Sequence, residues 1–388
     1  SLDGQVLGER EFDGWGRVTR LSRGDISETY QYEGASNVPT TRTGADGITL
    51  AFEYFPELGN EVKSVIGKDA QDKELGKQTF SYRQGSTRQS SASEGGQTIT
   101  FDHDINERVT QQHGKLKDKV ESTLSRNTSQ AGRLLSETDA VGNQTTFAYN
   151  DKGQRSEVVT EGSSTEHSYD ERGRLHKDTV TLGSDELTVS YSYDTSDHEL
   201  QRQFTLADAF DLSLKRTFSG EGRLQSIKLY DEKARKDLGS HSYTYTVGGA
   251  LASCSSTGVW QPKNPKGKAI SRQAFSYDKL GNVIECVSTF GDQSCTSTYS
   301  YDSTKGYRLE KVEHSHADYK KAVAIVYDNA GRVTKDHTGK TYAYDWLGRL
   351  VQAGSRHYTY DPLNRLASSA SKAGDTPHQL VHDGYRVR

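Results

Sequence analysis

Residues 344–350 read YDWLGRL, that is an aromatic residue, Asp, two variable residues, Gly, Arg and an aliphatic residue. The same order returns as FDGWGRV from Phe12, YDERGRL from Tyr169, YDKLGNV from Tyr277 and YDNAGRV from Tyr327, with YDPLNRL from Tyr360 as a near copy. Self-similarity at a period of a few tens of residues is typical of repeat proteins, in which each unit packs mainly against its neighbours. The motif therefore predicts an array.

The Asp-x-x-Gly core of the motif is typical of a tight turn. Asp can accept backbone N–H bonds inside the turn, and Gly in the fourth position can take a positive φ without a Cβ clash. The near copy keeps this chemistry, with Pro at the second position and Asn, the next-best left-handed residue, at the fourth. The predicted turn residues are Asp13, Gly16, Asp170, Gly173, Asp278, Gly281, Asp328, Gly331, Asp345, Gly348, Asp361 and Asn364.

The segments before the turns alternate as half-buried strands do, for example in HSYTYT and RHYTYD. This alternation places two rings on one face of each strand and predicts ladders of tyrosines. The predicted pairs are Tyr191 and Tyr193, Tyr243 and Tyr245, Tyr299 and Tyr301, Tyr342 and Tyr344, and Tyr358 and Tyr360.

The composition favours a broad thin sheet. Of 388 residues only 32% are hydrophobic, 22 are Tyr and 37 are Gly, and the mean hydropathy is -0.84. Aromatic anchors recur every 23 residues or so, about the length of one hairpin. We therefore expect an all-β fold of antiparallel hairpins. Its ribbon of about 34 strands would be about 160 Å long and, bent into a ring about 50 Å across, would complete one turn of a spiral or slightly more.

The array is expected to be a single domain over residues 1–388. The match to the repeat is poorer at 60–130 and 231–242, where a short helix remains an alternative, and an insertion around 257–272 is expected to protrude as a loop. The absence of Met, including at position 1, indicates a piece of a longer or processed chain.

The charge pattern and the apolar segments exclude several partner classes. The net charge is -4 with both signs interspersed, so we expect no nucleic-acid partner. No apolar run reaches membrane-spanning length, and we expect no membrane span. Cys254, Cys286 and Cys295 lack zinc spacing; Cys286 and Cys295 flank a hairpin and could pair in an oxidising compartment, although three free thiols are favoured.

No catalytic, cofactor or metal site is predicted. The Asp residues recur at equivalent turn positions, as structural residues do, whereas catalytic carboxylates converge once in a cleft. His314, His316 and Asp318 share metal-compatible spacing but lack a fourth ligand, and His378 and His382 have helical spacing without a Glu between them. The segment DHDIN from Asp102 begins like a calcium loop, but Glu107 stands where Gly is needed.

The YDxxGR core and its recurrence resemble the YD repeat, or RHS repeat, of bacterial Rhs polymorphic toxins, of the B and C components of insecticidal toxin complexes, and of teneurins. The copies at Tyr169, Tyr277, Tyr327, Tyr344 and Tyr360 carry the resemblance, which covers most of the chain. It implies a sheet ribbon wound into a hollow cocoon that encloses a C-terminal toxin in the bacterial members. The family's DPxGL-like self-cleavage site has no match here, because Asp361-Pro362 lies inside a repeat turn.

From this resemblance we expect a secreted, non-enzymatic part of a toxin shell. Its expected partners are flanking RHS repeats or a partner shell subunit, together with an encapsulated toxin segment. The alternative is an extracellular module that binds a glycan or a receptor through its exposed tyrosine rows.

Overall fold

The computed structural model describes residues 8–115, 121–380, 382–383 and 386–387, and almost all of its regular structure is β-strand. The only helical elements among these residues are two short 3₁₀ turns, Pro56–Leu58 and Ser303–Lys305. The first half of the strands comprises β1 Glu9–Phe12, β2 Val18–Arg23, β3 Ile26–Gln31, β4 Thr41–Thr43, β5 Thr49–Phe55, β6 Glu61–Lys68, β7 Glu74–Tyr82, β8 Gln89–Glu94, β9 Gln97–His103, β10 Val109–Lys115, β11 Glu121–Thr128, β12 Leu134–Thr138, β13 Gln144–Tyr149, β14 Arg155–Thr160, β15 Ser163–Tyr169, β16 Leu175–Leu182, β17 Asp185–Tyr193 and β18 Glu199–Leu206.

The second half follows in the same manner, with shorter strands towards the end. It comprises β19 Phe210–Phe218, β20 Leu224–Asp231, β21 Lys236–Tyr245, β22 Leu251–Gly258, β23 Arg272–Tyr277, β24 Val283–Phe290, β25 Gln293–Asp302, β26 Arg308–His314, β27 Ala322–Ala324, β28 Val326–Tyr327, β29 Val333–Lys335, β30 Tyr342–Tyr344, β31 Leu350–Ala353, β32 Arg356–Tyr360, β33 Leu366–Ala370, β34 His378–Gln379, β35 His382–Asp383 and β36 Arg386–Val387.

Within each sheet, every strand pairs with the next one along the chain, always antiparallel. Strands β1 to β27 form one 27-stranded sheet, which is followed by the pair β28–β29, the five-stranded sheet β30–β34 and the pair β35–β36. The sheet is not closed by pairing between its first and last strands. The predicted all-β ribbon of hairpins is confirmed.

The motif leaves a bulge at its aromatic residue. Between β15 and β16, Ser168 pairs with Lys177 but Tyr169 pairs with Leu175, so the register shifts by one residue before the turn. The same shift recurs at the motif tyrosines of many other strand pairs, for example at Tyr245 and Tyr360. A bulge next to a turn adds local twist, and its repetition favours coiling of the ribbon.

The two faces of the sheet differ. Tyrosines occupy one face, and small hydroxyl residues between them occupy the other, where they bond across strands: Thr244 Oγ1 lies 2.8 Å from Ser253 Oγ, and Thr359 Oγ1 lies 2.6 Å from Ser368 Oγ. The chain exposes 22937 Å², which is about one and a half times the area expected for a compact monomer of its 43.0 kDa mass. The wall is therefore a single layer.

The ribbon winds back onto itself. The Nη2 of Arg308 donates to Asp25 Oδ2 at 2.6 Å across 283 residues of sequence, and the Nη2 of Arg332 donates to Asp46 Oδ2 at 2.9 Å across 286 residues. One winding thus takes about two dozen strands, or about 115 Å of ribbon at the usual strand spacing. The chain completes one winding and begins a second, as predicted.

Alternate connections of an antiparallel ribbon lie on opposite edges. We call the edge that carries the Asp13–Arg17, Asp170–Arg174, Asp328–Arg332 and Asp345–Arg349 turns the motif rim. The opposite edge, which carries short hairpins such as those at Gly24 and Gly95, is the hairpin rim. The second winding places its motif rim on the hairpin rim of the first.

The structure decides three points about the helix alternative, the insertion and the cysteines. The described residues of 60–130 and those of 231–242 are strands and turns without helix. The insertion at 257–272 does not protrude throughout, because it folds back through an Asn264–Lys268 turn and buries Ile270 against Phe290 and Cys295. All three cysteines are free; Cys295 pairs in register with Ser288, and Cys286 with Ser297.

Candidate functional site

The repeat turn is held by its own Asp. In the turn that begins at Asp170, the N–H of Gly173 donates to the Asp170 carbonyl at 2.9 Å, and the Asp170 N–H donates to the Arg174 carbonyl at 2.9 Å. The carboxylate accepts the N–H groups of Arg172 and Arg174 and, at 2.7 Å, the Nε of Arg174. Burial favours the neutral acid, but these hydrogen bonds outweigh it and hold the pKa of Asp170 below its ordinary value.

The predicted turn residues lie in turns of this geometry. Their fourth residues all have a positive φ, namely Gly16 at 78°, Gly173 at 82°, Gly281 at 83°, Gly331 at 80°, Gly348 at 80° and Asn364 at 63°. In most copies the side chain of the residue after Gly contacts the turn Asp, as in the ion pairs of Arg17 with Asp13 and of Arg349 with Asp345.

Several turns of the same kind lack a Gly and were missed from the sequence. Asp104–Arg108 has Glu107 at a φ of 61°, and the backbone N–H of Arg108 lowers the pKa of Asp104 as in the other turns. Asp194–His198 has Asp197 at a φ of 68°. The segment that resembled a calcium loop is thus a repeat turn, and its detectable signal was an Asp followed four residues later by Arg.

A tyrosine at the end of the strand before a repeat turn ties that turn to the preceding one. Its hydroxyl donates to the backbone carbonyl near the start of the neighbouring strand, at 2.7 Å for Tyr169 to Arg155 and at 2.8 Å for Tyr301 to Val283. Further bonds of this kind are Tyr32 to Val18, Tyr54 to Pro39, Tyr82 to Val62, Tyr149 to Leu134, Tyr193 to Leu175, Tyr245 to Leu224, Tyr277 to Leu251, Tyr327 to Leu309, Tyr344 to Val333 and Tyr360 to Leu350.

The first tyrosine of each pair makes different contacts. Tyr191 donates to Asp178 at 2.9 Å, and burial together with this hydrogen bond raises the pKa of Tyr191 to about 12. Tyr342 donates to Asp336 at 2.6 Å. In the described part of the chain, the hydroxyls of Tyr243, Tyr299 and Tyr358 donate no hydrogen bond, so these rings contribute by packing.

The motif arginine connects its turn to the following repeat. The guanidinium of Arg174 lies over the ring of Tyr193 at 4.6 Å, and its Nη1 donates to the Asp194 carbonyl at 3.1 Å. The same stacking joins Arg17 to Tyr32 at 4.5 Å and Arg349 to Tyr360 at 5.1 Å. The tyrosine and the arginine of the motif therefore both contact a neighbouring repeat, and such contacts make an array cooperative.

The contacts between the two windings form what we call the seam. They include Arg23 with Gly306, Arg308 with Asp25, Arg332 with Asp46, Arg349 with Glu94, Gln78 with Asn364, and Trp346 with Gly67 and Gly76. The second-winding partners are turn residues of the motif rim or adjoin them. No sequence signal marks their first-winding partners, because only the pitch of the spiral brings them together.

The most buried part of the seam is a polar network. Arg349 donates to Glu94 through both terminal nitrogens, at 2.6 and 2.9 Å, and to Asp345 at 2.6 Å. Gln78 donates to Asn364 Oδ1 at 2.8 Å and to Glu94 Oε2 at 2.9 Å. Burial disfavours the charged guanidinium, but the hydrogen bonds that Arg349 donates to Glu94 and Asp345 prevail and raise the pKa of Arg349. A fully paired charge of this kind fixes register between the windings.

Beside this network Trp346 occupies a socket. Gly67 and Gly76 are directly paired on β6 and β7, and a Cβ on either would meet the indole, at 2.2 Å from Cε3 and 2.4 Å from Nε1 respectively. Glycine at both positions is what lets the ring lie flat on the backbone of the first winding.

Of the other candidate residues from the sequence, His316 and Asp318 are in contact, since the Asp318 N–H donates to His316 Nδ1 at 3.0 Å, whereas His314 bonds elsewhere. His314 Nδ1 lies 2.8 Å from Ser297 Oγ, and burial lowers the pKa of His314. His316 packs edge-on against Phe290 at 5.0 Å, and Asp318 pairs with Lys268 at 3.1 Å. His378 and His382 lie on separate short strands, β34 and β35, and not on one helix.

The described residues hold neither a metal-binding cluster nor a membrane-spanning helix. No cluster of three or more His, Cys, Asp or Glu side chains in these residues is arranged to hold a metal ion. These residues also include no helix with the length and apolarity needed to cross a membrane.

Comparisons with known proteins agree with this architecture. Residues 129–165, which contain the Ser129–Arg133 and Asn150–Gln154 turns, match the RHS Repeat family. The predicted resemblance to RHS (YD) repeats is confirmed for this segment. The fold of the chain resembles that of TcdB2-TccC3, with a TM-score of 0.63 and 15% identity over 99% of this chain and 21% of that one.

Two related structures give the same likeness. TcdB2-TccC3 without its hypervariable C-terminal region has a TM-score of 0.61 at 15% identity, over 93% of this chain and 22% of that one. The Tc holotoxin pore of Photorhabdus luminescens has a TM-score of 0.57 at 15% identity, over 96% and 19%. The chain spans about a fifth of the structures it matches. It matches none of the curated proteins.

Proposed function

We propose that the chain is a non-enzymatic wall segment of a secreted toxin shell, and that the shell encloses a C-terminal effector. The observation that carries this proposal is the seam, which lets a single-layer ribbon stack its windings into a continuous wall. The likeness to TcdB2-TccC3 supports it, since that protein is described with a hypervariable C-terminal region separate from the matched fold. The proposed partners are flanking RHS repeats or a shell subunit, and the enclosed segment.

The glycan- or receptor-binding alternative has less support. The hydroxyl groups of the motif tyrosines donate to backbone carbonyls, and several of the rings lie under arginine side chains. These rings are therefore engaged in joining repeats, whereas a sugar-binding surface needs aromatic faces that are open to solvent.

Protease protection tests enclosure in the full-length chain that carries these repeats. We expect the region C-terminal to the repeats to resist proteolysis until the wall is opened, as in Glu94→Lys, which places a cation against Arg349. The matched control is Glu171→Lys, which has the same charge change on an exposed turn away from the seam. Equal digestion of that region in the wild type and in Glu94→Lys would contradict enclosure.

A further inference from the structure

The insertion at 257–272 contains a turn of the repeat type. The Asn264 N–H donates to the Lys268 carbonyl at 2.9 Å, and the Gly267 N–H donates to the Asn264 carbonyl at 2.9 Å. Asn264 Oδ1 accepts two further backbone N–H groups of the turn, and Gly267 has a φ of 81°. The seam turn Asp345–Arg349 has the same set of hydrogen bonds. Asn264 therefore stands in the position of the motif Asp, and Lys268 in that of the motif Arg.

This turn lies on the hairpin rim, opposite to the rim that carries the repeat turns. The insertion connects β22 to β23, and it covers the neighbouring hairpin between β24 and β25. There Lys268 Nζ donates to Gln293 Oε1 at 2.9 Å. From the other side the β26–β27 connection contributes Asp318, whose Oδ2 accepts Lys268 Nζ at 3.1 Å and Asn264 Nδ2 at 2.8 Å. The hairpin between β24 and β25 is therefore covered by two loops of the chain itself.

The polar contacts of this turn correspond to those of the seam. At the seam Arg349 donates to Glu94, which pairs with Gln97 at the hairpin between β8 and β9. In the insertion Lys268 donates to Gln293, which holds the same position on its own hairpin as Gln97 does. In both places a cation at the fifth position of a turn meets a polar side chain at the end of a two-residue hairpin.

The apolar contacts correspond as well. At the seam Trp346 lies on the paired glycines of β6 and β7. At the insertion Ile270 packs against Phe290 and Cys295, which are 2% and 0% exposed. Both contacts lie on the tyrosine face of the sheet, as the alternation of residues along β7 and β25 requires. The insertion thus covers its hairpin with the same chemistry and on the same face as a second-winding turn covers the first winding.

We propose that the insertion 257–272 is a built-in cap. It occupies, on the hairpin between β24 and β25, the place that a motif turn of another winding takes at the seam, and it excludes any further winding from that hairpin. Stacking of windings therefore stops at a defined place on the wall, whichever repeats flank the chain. This inference rests on the proposed wall function, but protease protection tests that function, whereas the capture of a second turn tests the cap.

Photo-crosslinking in the full-length chain that carries these repeats tests whether the place is taken. The crosslinking residue p-benzoylphenylalanine replaces Gln293 in one variant and Gln97, the equivalent hairpin residue at the seam, in the other. At position 97 it should capture the second-winding turns at 345–349 or 361–365. At position 293 it should capture the insertion and the β26–β27 connection. Capture at position 293 of a repeat turn from any other part of the chain overturns the proposal.

Removal of the cap should open the place to another turn. Ser256 and Ser271 pair at the base of the insertion, so residues 257–270 can be replaced by Asn-Gly, which closes a two-residue hairpin. A cyclised peptide of residues 342–353 then supplies a motif turn in solution. Its capture at position 293 should rise about tenfold when the cap is removed, because the competing turn is gone. Equal capture with and without the cap, including none in either, contradicts the proposal.

A charge reversal guards against misfolding of the shortened chain. Lys268→Glu keeps the insertion but places a carboxylate against Asp318, so the cap should loosen and capture of the peptide should rise. The matched control is Lys266→Glu, which makes the same charge change at an exposed position of the same turn and should leave capture as in the wild type. Circular dichroism shows that both variants are folded. Equal capture in the two charge variants overturns the proposal.

Discussion

The indole ring of Trp346 occupies the space where a side chain on Gly67 would lie, since a Cβ there would be 2.2 Å from Cε3 of the ring. Gly67 belongs to β6 in the first winding and Trp346 to a turn of the second. Their contact, with the neighbouring ion pairs, converts a long meander into stacked windings. The stability of the wall should therefore depend on pairs of residues that lie far apart in sequence.

Gly67→Ala should loosen the second winding. Gly67 has no positive φ, so the added methyl group strains the structure only by its overlap with Trp346. We expect a loss of roughly 1–3 kcal/mol, the usual range for overpacking, and faster amide hydrogen exchange across residues 342–370. Gly220→Ala is the matched control, because nothing lies within 4 Å of its Cβ position. In a Trp346→Ala background the Gly67→Ala effect should nearly vanish; its persistence would contradict the socket.

The Arg349–Glu94 pair should couple the windings energetically. Both side chains are almost buried, at 13% and 14% exposure, so removal of one leaves a charge without its partner. A double-mutant cycle with Arg349→Gln and Glu94→Gln, read by chemical denaturation, should give a coupling of about 1–3 kcal/mol. The exposed pair Arg223–Glu221 at 3.4 Å should give about 0.5 kcal/mol or less. Similar coupling energies for the two pairs would show that the seam ion pair stabilises the protein no more than an exposed pair does.

The stability cost of a turn substitution should depend on the local backbone geometry and on contacts between the two windings. Gly348→Ala should cost about 1 kcal/mol because of its positive φ. Gly331→Ala should cost more, since its Cβ would also lie 2.5 Å from Ile26 Cδ1 in the first winding.

Asn364→Gly separates the turn from the seam. From the turn alone this change should be neutral or mildly stabilising. However, Asn364 Oδ1 accepts hydrogen bonds from Gln78 and Arg349 across or beside the seam, so we expect a net loss of about 1 kcal/mol. Thermal unfolding of Gly348→Ala, Gly331→Ala and Asn364→Gly gives the order of their stability losses. An unchanged melting temperature for Asn364→Gly would contradict the contribution of the seam.

The two tyrosines of one strand provide an internal comparison. Tyr301→Phe removes the hydrogen bond to the Val283 carbonyl and should cost about 1 kcal/mol, whereas Tyr299→Phe removes a hydroxyl without a hydrogen bond in the described chain and should cost much less. Urea unfolding measures both. Equal losses would mean that the bonds between repeats do not stabilise the array.

Asp302 should make stability depend on acid pH. Hydrogen bonds from the Thr304 hydroxyl and from Lys305 lower the pKa of Asp302 to about 2. Because the folded pKa is below the unfolded one, this group contributes stability fully above pH 5 or so and loses it as the pH falls from about 4 to 2. In Asp302→Asn the free energy of unfolding should vary less steeply over that window. An unchanged slope would contradict the shift.

The local structure follows from the sequence more completely than the assembly does. The Asp-x-x-Gly pattern predicts turns at Asp170, Asp278 and Asp345, because capping by Asp and a left-handed Gly are local properties. Turns with Glu107 or Asp197 at the fourth position escape that pattern, because these residues take a positive φ without being glycine. The seam contacts cannot be predicted from that pattern at all. Which residues meet at the seam depends on the pitch of the spiral, and the pitch is the sum of small twists over many strands.

The spiral wall is tested most directly by small-angle X-ray scattering of the isolated chain at low concentration. A single-layer wall that exposes 22937 Å² should scatter as a hollow, open particle, with a radius of gyration above the roughly 21 Å of a compact globule of this length. A solid-sphere profile with a radius of gyration of about 21 Å would contradict the wall and the windings together.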